Sequence, residues 1–471
     1  MRIRQLFLVA LLTLGFGMHS SIAVEVTIQA NDDIVIGKIT RGPFTISNLC
    51  ENDTISAGPI FLYGVSRPLY GYAEIRSGNV VIYTPKPSFK GEDSFQYAIS
   101  TAPNGVGATS VATVTVRNPY FLNRGTYTSA IDGIHQVHEE SGYFVMTTDM
   151  QGQFTATLRF AGQAYPFKGV FDSEGHYSAN IARKPPLSNL TLDVQFPLEG
   201  PSALQCQLTN GGTVTSFTAD LNMWSLANRP AVEGRYSITL PAPDNKALTP
   251  QGSGYATFAI GKTGTVSIVG RTGDNRSFTM ASKLLADNTI PFYIGLYHGG
   301  GSLFGPVTLT VVDPGNVTAA GSLIWTKPKN LKDKLYPKGF ILTLAPHGTN
   351  YIEPKPSNNV LSVGTTTTYN SHFTIAAGVP RLGKTERALL GNRPDNGRYA
   401  LAFDNSKRLR AEFSISPLTG IFTGSFHNGT THTISRMSGI FVQGENAAYG
   451  LWGSAAKTGS VLLQPDAIAV P

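Results

Sequence analysis

Short runs in which apolar and polar residues alternate cover most of the chain beyond its first two dozen residues. Clear examples occupy residues 78–83, 94–100 and 108–116. A period of two residues sends successive side chains to opposite faces and is typical of half-buried β-strands. Long amphipathic helical patterns are hard to find, and the sequence contains 50 glycines and 29 prolines, which favour tight turns. The pattern therefore predicts an all-β protein.

Beyond residue 118 the chain repeats itself. The runs are separated by clusters of Gly, Asn and Asp, which favour hairpin turns and hence antiparallel meanders. Three kinds of marker recur, namely a Gly-x-Tyr opening, a glycine before a later alternating run and a single tryptophan. They are Gly125, Gly234 and Gly397; Gly152, Gly264 and Gly420; and Trp224, Trp325 and Trp452. We interpret them as three repeated antiparallel β-meanders near 125–226, 234–327 and 397–463, each with a tryptophan as core anchor or sugar-stacking surface. Whether they form a barrel, propeller-like blades or separate sandwiches stays open.

The stretch 24–117 has the length and strand pattern of a sandwich of about seven strands. It reads Ala-Asn-Asp-Asp at 30–33, Asn-Asp-Thr at 52–54 and Tyr-Thr-Pro-Lys-Pro-Ser-Phe-Lys-Gly-Glu-Asp-Ser-Phe-Gln-Tyr at 83–97. In these residues it resembles the immunoglobulin- or cadherin-like tandem modules of large bacterial surface proteins. The region from 118 to 471 resembles the Gly-rich β-repeat tails of exported bacterial proteins of unassigned role.

The resemblance implies a calcium site in the N-terminal module. Its oxygen ligands would come from Asn31, Asp32, Asp33 and Asp53, with Glu51 nearby, because calcium accepts several carboxylates and carbonyls in loose geometry. The sequence departs from the family at 100–105, where Ser-Thr-Ala-Pro-Asn-Gly replaces an acidic Asp-Gly-x-Gly turn. The alternative is that these residues cap turns at strand ends. No other cofactor is predicted.

The N-terminus has the features of a secretory signal peptide at 1–23. Arg2 and Arg4 precede an apolar run at 6–18 that is short for a membrane span, and Ser-Ile-Ala at 21–23 fits a cleavage site. We expect a mature chain that begins near Val24 and lies in the extracellular space, at the cell surface or in the periplasm. An uncleaved signal anchor is the alternative. No later stretch predicts a membrane helix.

The net charge limits the classes of binding partner, and the two cysteines limit the disulfide bonds that the chain could form. The net charge of +7 falls to 7 − 2 = +5 once Arg2 and Arg4 are removed, and no basic stripe interleaves with aromatic residues, which argues against nucleic acid. Five lysines between 327 and 338 predict a solvated loop. Cys50 and Cys206 lie in different predicted domains, and whether they pair in an oxidising compartment stays open.

No motif in the sequence predicts a particular chemical reaction. Residues 378–385 match the P-loop pattern, but a P-loop needs a parallel βαβ sheet, which the all-β pattern does not provide. His135 and His138 with Glu139 and Glu140 form either part of a zinc site or a polar hairpin tip. Residues 300–305 miss the Gly-x-Ser-x-Gly elbow by one position.

The sequence therefore predicts an exported, non-enzymatic surface or envelope protein with a binding or scaffold role towards protein or polysaccharide. An outer-membrane β-barrel and a carbohydrate-active enzyme with unrecognised acids are the alternatives. The sequence does not identify the ligand.

Overall fold

The computed structural model describes residues 25–37, 42–133, 135–199, 203–241, 248–355, 360–362, 370–376, 384–393, 398–403, 411–428, 433–454 and 458–466. The chain divides into two compact units, with the boundary between Asn118 and Pro119. The predicted signal peptide lies outside the described residues. In the described part of the chain, no helix combines the length and apolar character that a bilayer crossing requires.

The N-terminal unit is a β-sandwich. Its strands are β1 (Ile28–Gln29), β2 (Asp33–Ile36), β3 (Phe44–Ile46), β4 (Thr54–Ile55), β5 (Phe61–Val65), β6 (Gly71–Arg76), β7 (Val80–Pro85), β8 (Glu92–Ser100) and β9 (Thr109–Arg117). One sheet has the order β2-β9-β8-β5, a second β3-β7-β6, and β1 pairs with β4. Alternate residues of β8, among them Phe95 and Tyr97, pack against Val81 and Tyr83 of β7 in the core between the sheets.

The C-terminal unit begins with α1 (Pro119–Leu122) and a first meander of eight strands. These are β10 (Gly125–Ile131), β11 (Gly142–Thr148), β12 (Gln153–Phe160), β13 (Gln163–Val170), β14 (His176–Ile181), β15 (Leu190–Gln195), β16 (Ala203–Asn210) and β17 (Thr213–Leu221). Successive strands pair antiparallel except β13 and β14, and β10 pairs with β17. The result is a half-open barrel whose seam lies between β13 and β14. Pro166 in β13 fits this edge position because proline cannot donate a ladder hydrogen bond.

The second meander repeats this topology with an inserted hairpin. Its strands are β18 (Gly234–Leu240), β19 (Gly254–Ile260), β20 (Thr265–Arg271), β21 (Ser277–Lys283), β22 (Thr289–Leu296), β23 (Gly301–Asp313), β24 (Asn316–Gly321), β25 (Leu323–Lys327), β26 (Phe340–Leu344) and β27 (His347–Asn350). β27 pairs with β18, and the seam lies between β21 and β22. The hairpin β25–β26 extends the sheet from β23, so this repeat ends at Asn350, beyond the predicted bound near 327.

The third meander begins at Ser371, earlier than the predicted bound near 397. Its strands are β28 (Ser371–Ala376), β29 (Lys384–Arg393), β30 (Arg398–Phe403), β31 (Ala411–Ile415), β32 (Ile421–Asn428), β33 (Thr433–Val442), β34 (Ala447–Gly453) and β35 (Thr458–Pro465). β28 pairs with β35, and the seam lies between β30 and β31. Gly397 lies outside the described residues. The strand that follows it is the third of its meander, whereas Gly125 and Gly234 open first strands.

The first two Gly-x-Tyr openings occupy equivalent places. Gly125 and Gly234 have φ angles of 150° and 152°. The hydroxyl of Tyr127 donates to the carbonyl of Asn123 at 2.5 Å, and the hydroxyl of Tyr236 donates to the carbonyl of Val232 at 2.8 Å. Both tyrosines are fully buried. Each hydroxyl therefore fixes the entry of the chain into its meander through a carbonyl four residues earlier.

The recurrence of one tryptophan in each repeat predicts that the three tryptophans occupy equivalent places, and this prediction was wrong. Trp224 lies between the first and second meanders and packs on the core of the second, Trp325 lies in β25 and Trp452 in β34. What recurs is an aromatic side chain in the segment before each meander, seated over a turn glycine of that meander with positive φ. The pairs are Tyr120 with Gly152 (φ 75°), Trp224 with Gly264 (φ 67°) and Tyr351 with Gly420 (φ 68°).

Short 3₁₀ helices occupy His138–Glu140, Tyr297–Gly299 and Gln443–Glu445. The all-β prediction with an N-terminal sandwich is confirmed, and the open question of the repeat architecture is answered by half-open barrels. Most of the P-loop match, 378–383, lies outside the described residues. Lys384 and Thr385 begin β29, which is antiparallel to β28 and β30, so a strand follows where a P-loop requires a helix.

Candidate functional site

The outward side chains of β14, β15, β16 and β17 form one polar surface, which we call the β14–β17 face. Strand alternation sends Leu192, Leu204 and Leu208 into the barrel and polar neighbours outward. The strand register aligns the outward residues in rows across all four strands. One row is His176, Gln195, Gln205 and Thr218, and the next is Ser178, Asp193, Gln207 and Ser216.

A shallow groove of about 420 Å³ runs along these two rows. Its polar lining comes from seven of the eight row residues, all but Ser178. Neighbouring strands lie about 4.8 Å apart, so four residues in a row span about 14 Å. The groove therefore crosses the strands rather than following one of them.

The face carries few charges. Among the outward side chains within these four strands, the ionisable ones are His176, Asp193 and Asp220, and none is Lys, Arg or Glu. His176 Nε2 lies 3.8 Å from Asp193 Oδ1, and its Nδ1 lies 4.0 Å from Asp172 Oδ2. The hydroxyl of Thr218 donates to Gln205 Oε1 at 3.4 Å. Most of the surface thus presents amides and hydroxyls.

The groups on this face are suited to hydrogen bonding. Cys206 lies directly beneath it, and burial raises the pKa of the thiol to about 12, so the group is neutral at physiological pH. Cys206 and Cys50 are both free thiols. Amides and hydroxyls both donate and accept hydrogen bonds, and the rows offer several of each at regular spacing.

The predicted calcium residues meet only in part. Asp53 Oδ1 accepts the backbone N–H of Asn31 at 2.8 Å and the hydroxyl of Tyr97 at 2.8 Å. Asp32 Oδ1 instead accepts the backbone N–H of Thr113 at 2.8 Å, as a residue that caps a strand does. The second carboxylate oxygens of Asp33 and Asp53 are buried without a hydrogen-bond partner. Within the described residues, no group of three His, Cys, Asp or Glu side chains is placed to hold a metal ion, and calcium binding stays a prediction.

Asp33 makes the N-terminal unit sensitive to pH. Its pKa is raised from an ordinary value of 3.8 to about 6. Burial is the largest cause, the hydrogen bond from Tyr97 lowers the pKa, and the carboxylates of Asp53 and Asp32 raise it. A folded-state pKa above the unfolded value gives stability that is fully present below about pH 3.8 and lost as pH rises through 6. We therefore expect Asp33→Asn to flatten the pH dependence of the unfolding temperature of this unit between pH 4 and pH 7, measured by calorimetry.

Asp32→Asn serves as the matched control, because Asp32 is exposed and its amide retains an oxygen that can accept the Thr113 N–H. It should keep most of the wild-type pH dependence. Equal slopes for wild type and Asp33→Asn would show that Asp33 is ionised normally in the folded state.

The two histidines of the possible zinc site separate. His135 is exposed and pairs with Glu140 at 2.8 Å, as expected for a polar hairpin tip. His138 is only 5 % exposed and contacts the second meander, where its Nδ1 lies 2.9 Å from Ser302 Oγ and its Nε2 lies 3.1 Å from the carbonyl oxygen of Gly299. Because a carbonyl only accepts, Nε2 carries the proton and Nδ1 accepts from Ser302. Burial lowers the pKa of His138 and keeps it neutral.

The Ser302–His138 pair has the hydrogen bond of a nucleophile and its base but not their access to substrate. Ser302 is fully buried, and the second imidazole nitrogen is held by a backbone carbonyl rather than a carboxylate. The pair therefore packs the first meander against the second. His138 therefore lies in the predicted hairpin connection between β10 and β11, but it is buried rather than exposed because the neighbouring repeat covers it.

The lysine-rich stretch also differs from its predicted form. Lys327 is only 3 % exposed, forms an ion pair with Asp333 and lies with its Nζ 4.6 Å from the ring centre of Tyr297. The hydroxyl of Tyr297 donates to Asp274 Oδ2 at 2.8 Å. Lys329, Lys332, Lys334 and Lys338 are exposed as predicted. One lysine of the five is thus part of a buried network that anchors the loop after β25.

Comparison with known proteins identifies the N-terminal unit. Residues 24–117 match the family model of the bacterial Ig domain. A search of curated proteins found no match to the chain. The match covers the residues that form the two-sheet sandwich and ends at the last residue of β9. The N-terminal unit is therefore an immunoglobulin-like module of the bacterial type.

Proposed function

We propose that this protein is exported and acts, without catalysing a reaction, as a binding or scaffold protein of the cell surface or periplasm. Bacterial Ig-like domains typically occur in surface or extracellular proteins, which supports this location. The signal-peptide features of residues 1–23 agree with export. Its partner is a protein or a polysaccharide.

The observation that carries the binding role is the β14–β17 face. Eight polar side chains from four strands line up in two rows, and a groove runs along them. The side chains of these rows offer several hydrogen-bonding groups at fixed spacing to a bound partner. The neutral thiol of Cys206 and the buried Ser302–His138 pair support a role in binding rather than in catalysis.

Binding to isolated cell envelopes tests this proposal. We expect the mature protein to be retained on envelopes of the producing bacterium and the double variant Gln205→Lys, Gln207→Lys to be released, because two long charged side chains would occupy the groove. Gln153→Lys is the matched control, since Gln153 is an exposed glutamine on β12 in the same meander and outside the face. Equal retention of wild type, double variant and control would contradict a binding role for the face.

A further inference from the structure

The composition of the β14–β17 face excludes several classes of partner. Phosphate backbones and acidic polymers are bound by Lys and Arg, and none of the outward side chains of these strands is either. Its carboxylates, Asp193 and Asp220, would repel an anionic chain. The groove therefore does not fit a nucleic acid or an acidic polysaccharide.

Protein partners fit the groove poorly as well. The centres of protein interfaces are enriched in aromatic residues, Met and Arg and contain apolar anchors. The outward positions of β14–β17 hold one large apolar residue, Val214, which is the second residue of β17 and lies outside the groove lining. Phe217 is the aromatic residue of the groove lining, but its ring packs edge-on against Phe144 and is partly buried against the barrel core.

The remaining chemistry matches a chain that is neutral and rich in hydroxyl groups. Each sugar hydroxyl donates and accepts, as do the side chains of Gln205, Gln207, Ser216 and Thr218. The groove crosses four strands, so an extended chain lying in it passes successive side chains at about 4.8 Å intervals. Regular spacing lets several weak hydrogen bonds form at once along one repeating polymer.

Such a site gains its affinity from chain length. One hydrogen bond exchanged with water contributes little net free energy, so a single sugar should bind too weakly to detect. Several bonds made along one polymer add up, and neighbouring copies of the same sugar increase the effective concentration at the groove. Binding should therefore rise with the number of linked sugars.

We infer that the β14–β17 face binds a neutral polysaccharide whose chain lies along the groove across the four strands. This inference rests on the proposed binding function and narrows its partner to one class. Affinity electrophoresis of the full mature chain tests it, with dextran, soluble starch, mannan and a linear β-glucan as neutral probes and polygalacturonate as the acidic probe.

At least one neutral polymer should retard the wild-type protein, and polygalacturonate should not. The double variant Gln205→Ala, Gln207→Ala should weaken the retardation about tenfold in apparent Kd, which corresponds to the loss of one or two hydrogen bonds. Gln153→Ala should behave as wild type. Short oligosaccharides of the bound polymer should compete, and the monosaccharide should not.

Three results would overturn the inference, namely no retardation by any neutral probe, retardation by polygalacturonate alone, and equal retardation of wild type and the Gln205→Ala, Gln207→Ala variant. If neither the neutral nor the acidic probes retarded the protein while envelope retention still depended on Gln205 and Gln207, the partner would be a protein and the proposed function would stand. If polygalacturonate alone retarded it while retention depended on these residues, the partner would be an acidic polysaccharide. If envelope retention were also independent of the face, the proposed function would fail with it.

Discussion

Replacing Trp325 with alanine should lower the free energy of unfolding of the C-terminal unit by about 3–5 kcal/mol. The indole is only 2 % exposed and packs edge-on against Phe340 with ring centres 4.7 Å apart. Its Nε1–H donates to the hydroxyl of Tyr297 at 3.1 Å, and that hydroxyl donates to Asp274. The substitution thus leaves a large cavity and removes one donor from a buried polar network. Urea unfolding followed by circular dichroism measures the loss.

Two variants separate packing from hydrogen bonding at this position. Trp325→Phe keeps most of the apolar volume and removes the N–H, so it should cost less than alanine does. Ile341→Ala changes a neighbouring residue on β26 that is 63 % exposed, and it should shift stability by no more than about 0.5 kcal/mol. An unchanged unfolding curve for Trp325→Ala, together with lost polysaccharide binding, would show that the indole is a ligand contact and not a core anchor.

Gly264→Ala should destabilise the second meander by about 2–5 kcal/mol, from backbone strain and overpacking together. Gly264 has a φ of 67°, which an alanine adopts only with strain, and its new Cβ would overlap the indole of Trp224. The carbonyl of Gly264 also accepts the N–H of Leu284 at 2.8 Å, and Trp224 Nε1–H donates to the carbonyl of Leu284 at 3.0 Å. The glycine therefore holds the preceding segment onto the end of the barrel.

Gly315→Ala is the matched control, because Gly315 has a φ of 88° in the same meander and open space where a Cβ would stand. It should cost only the backbone strain, about 1–2 kcal/mol. The double variant Trp224→Ala, Gly264→Ala should cost less than the sum of its single variants, since the overlap disappears with the indole. If Gly264→Ala and Gly315→Ala lower the free energy of unfolding by the same amount, the contact between Trp224 and Gly264 adds nothing to the stability of the turn.

Much of the fold can be predicted from local sequence patterns. Period-two alternation and glycine-rich turns indicate antiparallel meanders, and the Gly-x-Tyr openings at Gly125 and Gly234 mark equivalent first strands. The third repeat was misplaced because Gly397-Arg398-Tyr399 copies the letters of that opening at a third strand. The tryptophans were wrongly predicted to be equivalent for a related reason. The repeated role, an aromatic ring on a turn glycine, is filled by Tyr120 and Tyr351 as well as by Trp224.

The candidate site could not be found by motif because it depends on strand register. His176, Gln195, Gln205 and Thr218 are far apart in sequence and share one row only when three neighbouring strand pairs are aligned correctly. A shift of one residue in any pair would turn part of the row into the core. Alternation alone predicts which residues face outward, but not which ones are neighbours. Contacts between repeats, such as that of His138 with Ser302, leave no local signal either.

Photo-crosslinking from the β14–β17 face tests in cells whether this face binds a polysaccharide. A photoreactive amino acid in place of Gln205 should, in cells that produce the protein, give a cross-linked product that carries carbohydrate, and the same amino acid in place of Gln153 should not. Digestion of the polysaccharide should return the Gln205 product to the size of the free protein. A carbohydrate-free product from position 205, or equal products from both positions, would contradict polysaccharide binding at this face.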